Sequence, residues 1–273
     1  EDNSDGTVTI ATGGVENGQT VTVTIGGVAD TCSASSNACS ATVAAGDLDG
    51  YTDGATVTIY VDVDDAAGNS ATQNSATTFV YDVTVAAATQ TTAVSDPTGD
   101  TTPDAVINVG EAGTIAVGGT NGCALSSTST MTSGGNTITL GTISTGDGDY
   151  TCTVTFTDTA GNAASALALT AFTLDTTAPV FSSVTASWGA YLNAVEDNSD
   201  GTVTVVLSNS NDNGRTATVT INSVVDTCTI SGTTCAATIA AGDLDGYTDG
   251  ATVTIYVDIS DAVGNAATQN SGT

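Results

Sequence analysis

Carboxylates are the side chains with which this sequence could do the most chemistry. Thirty of the 273 residues are Asp or Glu, and against them stand one Arg, no Lys and no His, so the formal net charge is −29. Carboxylate oxygens are the ligands that hard cations such as Ca²⁺ prefer. Two interpretations stay open for so many unpaired acids: they bind cations, or they only keep a surface protein soluble.

One acidic segment occurs twice and resembles a calcium-binding loop. GDLDGYTDG occupies residues 46–54 and again 242–250. In the first copy Asp49 follows Asp47 by two residues, and Asp53 follows Asp49 by four. An EF-hand would need a bidentate Glu at the twelfth position from Asp47, and that residue is Thr58. The alternative is that the Asp-Gly pairs only turn the chain into the next strand.

Catalytic chemistry has few residues to use. Without His or Lys, imidazole acid–base catalysis and an activated Ser or Cys nucleophile are absent. Two carboxylates could in principle form a glycosidase site. The acids, however, recur in each repeat of the chain, and this recurrence favours a structural role over a single active site. We therefore expect the protein not to be an enzyme.

Charge and hydropathy also limit the partners. A chain with a net charge of −29 has nothing with which to neutralise phosphates, so nucleic acid is excluded. The sequence has no apolar run near the ~18 residues of a membrane span. We expect no membrane insertion in this segment, and cations as its natural partners.

The six cysteines are the second distinctive set of side chains. Two pairs recur at equivalent places in repeated segments and close short loops, and the two remaining cysteines pair by elimination. The predicted disulfides are Cys32–Cys39, Cys123–Cys152 and Cys228–Cys235. A zinc site is the competing interpretation, but the chain has neither a CxxC motif nor a His. Disulfides indicate an oxidising, extracellular or cell-surface location.

Alternating apolar and polar residues predict the elements that must position these side chains. TVTVTI (20–25), ATVTIYVDV (55–63) and CTVTFTD (152–158) place Val, Ile, Tyr or Phe between threonines, bounded by Gly, Asp and Asn. Period-two runs of this kind are typical of half-buried antiparallel strands. Because no segment has helical periodicity, the sequence predicts an all-β protein.

Internal repeats organise these strands into units. Residues 46–75 return almost unchanged as residues 242–271. A divergent copy lies between them, since the loop DTAGN (158–162) matches DAAGN (65–69) and DAVGN (261–265). The order is therefore A–B–A. The predicted domains are 1–82, lacking its first strand, 83–175, and 176–273, with its last strand truncated.

Three phrases resemble the bacterial immunoglobulin-like tandem repeats of giant extracellular adhesins and biofilm-associated surface proteins. They are LDTTAP (174–179), INVGEA (107–112) and the D-x-A-G-N loop of each unit, which reads DAVGN in the last one. The resemblance implies tandem immunoglobulin-like antiparallel β-sandwich domains arranged as a rod. It also implies linkers stiffened by calcium, as in those adhesins.

In a chain of such sandwiches we expect carboxylates to gather at each domain junction. Glu1, Glu111 and Glu196 take the same place when the units are aligned at the turn between the first two strands. The acids expected at the first junction are Glu1, Asp47, Asp49, Asp53, Asp82 and Asp158. Those expected at the second are Glu111, Asp147, Asp149, Asp175 and Asp261. Such crowding requires a cation, and the oxygen ligands favour Ca²⁺. The alternative is a turn or capping role for each acid.

The leading functional hypothesis is a structural repeat segment of an extracellular surface fibre or adhesin stalk with calcium-stiffened junctions. Its partner would be itself, through head-to-tail continuation or neighbouring subunits. One alternative is an adhesive module for glycans or cell-surface ligands, whose aromatic platform could use only Trp188, Tyr191, Tyr51 and Tyr247. Another is a surface-layer or pilus-like subunit completed by strand exchange.

Overall fold

Antiparallel β-strands make up nearly all of the regular structure, as the alternating sequence predicts. The computed structural model describes residues 5–44, 46–119, 122–127, 129–141, 143 and 146–272. Within these residues there are 22 strands, β1 to β22, and one four-residue helix, α1. The prediction of an all-β fold is confirmed.

The N-terminal segment forms two sheets, which together are called the first sandwich. Its strands are β1 (Gly6–Ala11), β2 (Thr20–Ile25), β3 (Val28–Ser33), β4 (Ala38–Val43), β5 (Ala55–Val63) and β6 (Asn74–Tyr81). The sheet orders are β1-β4 and β3-β2-β5-β6. Val23 and Val57 of the larger sheet share one core with Ala41 and Val43 of the smaller. Threonines between them face outward, so the period-two pattern directly sets which side chains are buried.

The middle segment has nine shorter strands. They are β7 (Thr89–Thr92), β8 (Asp104–Val109), β9 (Gly113–Gly119), β10 (Thr130–Met131), β11 (Gly134–Thr139), β12 (Gly148–Tyr150), β13 (Cys152–Asp158), β14 (Leu167–Ala168) and β15 (Phe172–Leu174). The sheet orders are β11-β8-β7, β10-β9-β13-β14 and β12-β15. In β8, Ala105, Ile107 and Val109 are buried while the residues between them are more exposed.

The C-terminal segment repeats the first arrangement and is called the last sandwich. It comprises β16 (Phe181–Ala186), β17 (Gly201–Leu207), β18 (Thr216–Ile221), β19 (Val224–Thr229), β20 (Thr234–Ile239), α1 (Ala241–Leu244), β21 (Ile255–Asp258) and β22 (Asn270–Gly272). The sheet orders are β16-β17-β20 and β19-β18-β21-β22. Val203 and Val205 of one sheet pack with Val219 and Val257 of the other in a single core. Each such buried aliphatic side chain contributes about 1.5–3 kcal/mol relative to exposure.

Three disulfides connect these strands in the pairing expected from the sequence. They are Cys32–Cys39, Cys123–Cys152 and Cys228–Cys235, with Cα–Cα distances of 5.8, 5.6 and 5.6 Å. The first joins β3 to β4, and the third joins β19 to β20. Because these strands belong to different sheets, each of these two disulfides links the two sheets of its sandwich covalently.

The chain divides into two compact units. The first contains Glu1–Ala87 together with Glu111–Thr114 and Thr157–Ala164, and the second contains the remaining residues. The division into three domains at residues 82 and 175 stays a prediction. Among the described residues, no helix is long and apolar enough to cross a membrane.

Candidate cation site

The D-x-A-G-N loops are organised by their aspartates. In the first compact unit, Asp158 lies at the end of β13, and one of its oxygens accepts hydrogen bonds from the backbone N–H groups of Gly161 and Asn162 at 2.7 and 2.8 Å. Its other oxygen accepts from the Asn162 side chain at 2.8 Å. Gly161 adopts a φ of 103°, which strongly favours glycine. The motif therefore holds a carboxylate 5% exposed at the tip of a tight loop.

The asparagine of the same loop also holds the linker that follows β6. The side-chain nitrogen of Asn162 donates to the backbone carbonyl of Asp82 at 3.1 Å and lies 3.3 Å from the Asp82 carboxylate. The linker and the loop are 80 residues apart in sequence. This contact brings the carboxylates of Asp82 and Asp158 to the same place.

Glu111, in the turn between β8 and β9, completes a set of three acids, Asp82, Glu111 and Asp158, which we call the first acidic site. Each acid offers an oxygen, and the three atoms lie within 4.8 Å of one another. No other set of three acids in the described part of the chain meets this criterion. Glu111 also accepts a hydrogen bond from the N–H of Ala86 at 2.8 Å, so it contacts the linker directly.

Electrostatics at the first acidic site favour a positive charge. Loss of water contact raises the pKa of Asp82, and the negative charges of Asp158, Asp53 and Glu111 raise it further. Burial would raise the pKa of Asp158 as well, but hydrogen bonds from Asn162, Gly161 and Ala160 outweigh burial and lower it. Asp158, whose pKa is lowered, therefore lies beside Asp82, whose pKa is raised, and a cation bound between them would offset the repulsion.

A second site with the same plan lies in the other compact unit. The side chain of Asn265 donates to the backbone carbonyl of Asp175 at 2.8 Å and to Asp261 at 2.7 Å. Asp261 accepts three backbone N–H groups of its own loop and is 8% exposed. We call Asp175, Asp212 and Asp261 the second acidic site, because the charges of Asp261 and Asp175 raise the pKa of Asp212, although these three acids do not meet the distance criterion that the first site meets.

Asp212 differs from the loop aspartates Asp158 and Asp261 in how its carboxylate is held. It is 7% exposed, and no hydrogen bond to its side chain is found among the described residues. Burial raises the pKa of Asp212, and the charges of Asp261 and Asp175 raise it further, while Arg215 offsets only part of this. A buried carboxylate in this condition is costly unless a cation or a proton neutralises it.

Two acids predicted as metal ligands, Asp53 and Asp147, accept hydrogen bonds from the linkers. Asp53 accepts from the N–H groups of Val83 and Thr84 and from the Thr84 hydroxyl, and these bonds, the hydroxyl's first, lower the pKa of Asp53. Asp147 accepts from the N–H and hydroxyl of Thr176 at 2.7 Å. Both aspartates thus fasten the linkers through hydrogen bonds.

The remaining predicted ligands lie outside the two sites. Asp47 accepts from the Ala44 N–H at 2.8 Å and closes a turn. Asp149 bonds the Thr173 hydroxyl across β12 and β15 at 3.0 Å, and Asp49 packs beside Gly46 in the next turn. The positions of Asp47 and Asp49 fit the turn interpretation that the sequence left open, whereas Asp149 lies within β12. Glu1 lies outside the described residues.

The grouping of Glu111 with the second junction is corrected by the structure. Glu111 follows β8, whereas Glu196 precedes β17, the strand that occupies the same central place in its sheet. Glu196 instead caps its own turn, where it accepts from Asn193. The position equivalent to Glu111 is Asp212, in the turn between β17 and β18.

Sequence reasoning missed Asp212, although a signal for it exists. NDNGRT (211–216) matches VENGQT (15–20) around the turn, which pairs Asp212 with Glu16 of the first sandwich. Each unit therefore carries one acid in this turn. EDNSDGT occurs at residues 1–7 and again at 196–202, and this repeat instead aligns Glu1 with Glu196, which precedes β17.

The aromatic residues considered for a ligand platform are mostly packed. The rings of Tyr51 and Tyr81 have centroids 6.0 Å apart. Trp188 covers Gly201, where a Cβ atom would lie 2.5 Å from the indole. Among the four candidate residues, all of them described, Tyr191 alone is exposed, at 88%. Trp188, Tyr191 and Tyr247 line one groove of the last sandwich, whereas Tyr51 packs against the core of the first sandwich.

Comparison with known proteins gives a structural likeness but no family. No protein-family model and no curated protein matches the chain. A solved structure of a Ca²⁺-stabilized adhesin that helps an Antarctic bacterium reach out and bind ice is 25% identical, with a TM-score of 0.50, over 99% of this chain and 68% of that one. A 1.5-MDa bacterial ice-binding adhesin is 24% identical, with a TM-score of 0.39, over 99% of this chain and 90% of that one. Of these two, only the first likeness is strong enough to support a shared adhesin-type fold.

Proposed function

We propose that this chain is a structural segment of an extracellular, adhesin-type surface fibre in which Ca²⁺ stiffens the linkers between successive sandwiches. The proposed role is non-catalytic. The proposed partners are further copies of such sandwiches and a cell-surface or glycan ligand. The three disulfides support a location outside the reducing cytoplasm. The likeness to a Ca²⁺-stabilized adhesin supports both the setting and the ion.

The observation that carries the proposal is the convergence of Asp82, Glu111 and Asp158 within 4.8 Å. Ca²⁺ takes six to eight oxygen ligands from carboxylates, carbonyls and water. The three carboxylates could supply the charged ligands, and waters the rest. Neither Zn²⁺ nor a redox metal suits a site of oxygens alone.

Calcium would act on the linker by joining groups that the chain alone holds weakly. One ligand, Asp82, belongs to the linker after β6, and the other two belong to turns far away in sequence. Short polar linkers otherwise allow hinge motion, because they bury little surface. An ion present at ~100 times its dissociation constant would stabilise the bound arrangement by about 2.7 kcal/mol.

The proposal is tested by comparing the native chain in calcium and in chelator. We expect chelation to leave the sandwiches folded by circular dichroism, to lower the melting temperature, and to broaden the distance distribution in small-angle X-ray scattering. Identical melting curves and scattering profiles in the two conditions would refute calcium stiffening and favour the solubility interpretation of the acids.

A matched pair of variants locates the effect. Glu111→Gln removes a carboxylate from the first acidic site and should reduce the calcium-dependent rise in melting temperature. Glu16→Gln makes the same chemical change in the equivalent turn of the first sandwich, where the described residues place no linker aspartate. Glu16→Gln should leave the calcium response unchanged, and an equal loss in both variants would indicate a non-specific charge effect.

A further inference from the structure

The outer face of the four-stranded sheet carries an exposed tyrosine and an aspartate in both the first and the last sandwich. In β5, Ile59 points into the core, so Tyr60 and Asp62 lie on the opposite face of the sheet. The corresponding residues of β21 are Tyr256 and Asp258. Both tyrosines are 39% exposed, which leaves one side of each ring accessible to a ligand.

A glutamine fixes the orientation of each aspartate. The side-chain nitrogen of Gln73 donates to both oxygens of Asp62, at 3.0 and 2.8 Å. Gln269 donates to both oxygens of Asp258 in the same way, at 2.9 and 2.8 Å. A carboxylate offers about four acceptor positions, so the glutamine uses only part of that capacity. Each aspartate is therefore an oriented acceptor with room for further donors.

Threonines of the adjacent strand border each tyrosine and aspartate. Thr24 of β2 lies opposite Tyr60, and Thr22 lies opposite Asp62. Directly opposed residues of antiparallel strands have Cβ atoms about 4.5–5.5 Å apart. The register between β18 and β21 is the same, and the threonines there are Thr218 and Thr220. An aromatic ring, a carboxylate, an amide and two hydroxyls are thus gathered on one face.

These two sets of side chains are called the outer clusters. The first outer cluster is Thr22, Thr24, Tyr60, Asp62 and Gln73, and the last outer cluster is Thr218, Thr220, Tyr256, Asp258 and Gln269.

The middle segment has no equivalent of the outer clusters. When the units are aligned at the D-x-A-G-N loop, Thr153, Thr155 and Ala166 take the places of the tyrosine, the aspartate and the glutamine. The strand that carries Thr153 and Thr155, β13, nevertheless pairs within its sheet. The tyrosine, aspartate and glutamine are therefore not required to form a sheet of this kind.

The chemistry of the outer clusters suits a sugar ring. A β-linked glucose unit has apolar C–H groups on each face of the ring and hydroxyls around its edge. The C–H groups pack against an aromatic ring, as other apolar groups do. The hydroxyls donate to a carboxylate and exchange hydrogen bonds with threonine hydroxyls. The ring and the oriented carboxylate thus match the face and the edge of one sugar.

The charge of the chain decides which partner of this kind fits. A net charge of −29 repels anionic polysaccharides. It also disfavours a second copy of the chain on the same face, because Asp62 or Asp258 of one copy would approach the same carboxylates of the other. An uncharged glycan meets no such repulsion and supplies the hydroxyl donors that the carboxylates accept.

We propose that each outer cluster binds an uncharged, β-linked hexose chain. Tyr60 or Tyr256 stacks on one sugar ring, while Asp62 or Asp258 accepts hydrogen bonds from hydroxyls at the edge of that ring or the next. The inference specifies the glycan partner of the proposed function and, to that extent, rests on it. It places two equivalent sites on the chain and none on the middle segment.

The test uses cellohexaose, an uncharged β-linked glucose oligomer, and the full chain in calcium. Saturation-transfer NMR should show the largest transfer at the C–H protons of the sugar rings, because these protons lie against the tyrosine. The transfer should saturate with cellohexaose concentration. Replacing both exposed rings, in the double variant Tyr60→Ala and Tyr256→Ala, should lower the affinity by at least about tenfold.

Matched variants separate stacking from a general effect of exposed aromatic residues. Tyr60→Phe with Tyr256→Phe keeps both rings and should retain most of the affinity. Tyr191→Ala removes a tyrosine that is 88% exposed but lies outside the outer clusters, and it should leave the affinity unchanged. Circular dichroism and the melting temperature confirm that each variant is folded.

A third pair of variants tests the oriented carboxylate. Gln73→Ala with Gln269→Ala should weaken cellohexaose binding as well as lower the melting temperature. A purely structural role for the glutamines would lower the melting temperature and leave the affinity unchanged, and that result would overturn the assignment of the aspartates to the site.

The proposal is overturned if cellohexaose shows no saturable transfer, or if Tyr191→Ala weakens binding as much as the double alanine variant. It is also overturned if polygalacturonate, an anionic polysaccharide, binds as tightly, or if sedimentation shows a dimer that the double alanine variant abolishes. Repeating the titration in chelator separates this inference from calcium stiffening. Sugar binding that persists while the melting curve ignores calcium would refute the stiffening and support the glycan sites.

Discussion

The first and second acidic sites share a plan but differ in how their acids are held. In each, a loop asparagine donates to the backbone carbonyl of a linker aspartate, at 3.1 Å from Asn162 and 2.8 Å from Asn265. In each, the aspartate of the same loop is buried. At the first site the third acid, Glu111, is bonded to the Ala86 N–H at 2.8 Å. At the second site the third acid, Asp212, has no such bond among the described residues.

This difference separates the acids that accept hydrogen bonds from the one for which none is found among the described residues. N–H donors hold the carboxylates of both loop aspartates, and in Asp158 they lower the pKa. Asp212 is buried with only the partial compensation of Arg215, and its pKa is raised. The second site should therefore be the more strained of the two in the absence of calcium, and it should gain more when calcium binds.

The largest expected effect comes from the element that both sites share. Asp158→Ala and Asp261→Ala each remove a buried carboxylate that accepts several N–H groups, and each should reduce the free energy of unfolding by about 3 kcal/mol in calcium-free buffer. Urea denaturation measures the loss. A loss at one site with none at the other would show that the two loops are not equivalent.

A smaller effect of opposite sign separates the sites. In calcium-free buffer at neutral pH, Asp212→Asn should raise the free energy of unfolding by ~1 kcal/mol, because it removes a buried charge that Arg215 offsets only in part. Glu111→Gln should not raise it, since the carboxylate of Glu111 accepts from Ala86. In calcium both variants should lose part of the calcium-dependent gain. If both variants or neither were stabilised, Asp212 and Glu111 would not differ in how their charges are compensated.

The stabilisation by Asp212→Asn should depend on pH. A carboxyl whose folded pKa is raised contributes stability below the pKa of the unfolded chain, and that contribution is lost as pH rises through the folded pKa. The difference between Asp212→Asn and the native chain should therefore vanish at acid pH and grow toward neutral pH. Paired urea titrations across this range measure it, and a difference independent of pH would assign the effect to packing.

The smallest effect concerns the asparagine that holds each linker. Asn162→Ala and Asn265→Ala each lose a hydrogen bond to the linker carbonyl as well as one to the loop aspartate. Asn69→Ala is the matched control, because the Asn69 side chain bonds Asp65 at 2.7 Å without a linker carbonyl among the described residues. The first two should cost about 0.5–1 kcal/mol more than the third by thermal denaturation. Equal costs would mean that the linker bond adds nothing.

The fold was predictable from local sequence, because period-two alternation determines both strand formation and which face is buried. Two of the three disulfide pairs were predictable because repeated cysteines occupy equivalent positions, and the third, Cys123–Cys152, followed by elimination. The D-x-A-G-N loop likewise identified Asp158 and Asp261. The linker segments that follow β6 and β15 identified Asp82 and Asp175.

The grouping of the remaining acids was less predictable, because it depends on which end of a strand a turn occupies. Glu111 and Glu196 align when the strings are compared, yet one follows and the other precedes equivalent central strands. The hydrogen bonding of Asp53 to Val83 and Thr84 also depends on the path of the linker. Alternation in the sequence determines which side of a sheet each side chain faces, but it does not determine the path of the turns that connect the strands.

Calorimetric titration of the native chain with Ca²⁺, beside Asp82→Asn, Asp212→Asn and the double variant, tests the central claim most directly. We predict saturable binding with dissociation constants of about 10⁻⁴–10⁻³ M, reduced by each single variant at one class of site and abolished in the double variant. Binding that is absent from the native chain, or unchanged in the double variant, would contradict the assignment of calcium to these two acidic sites.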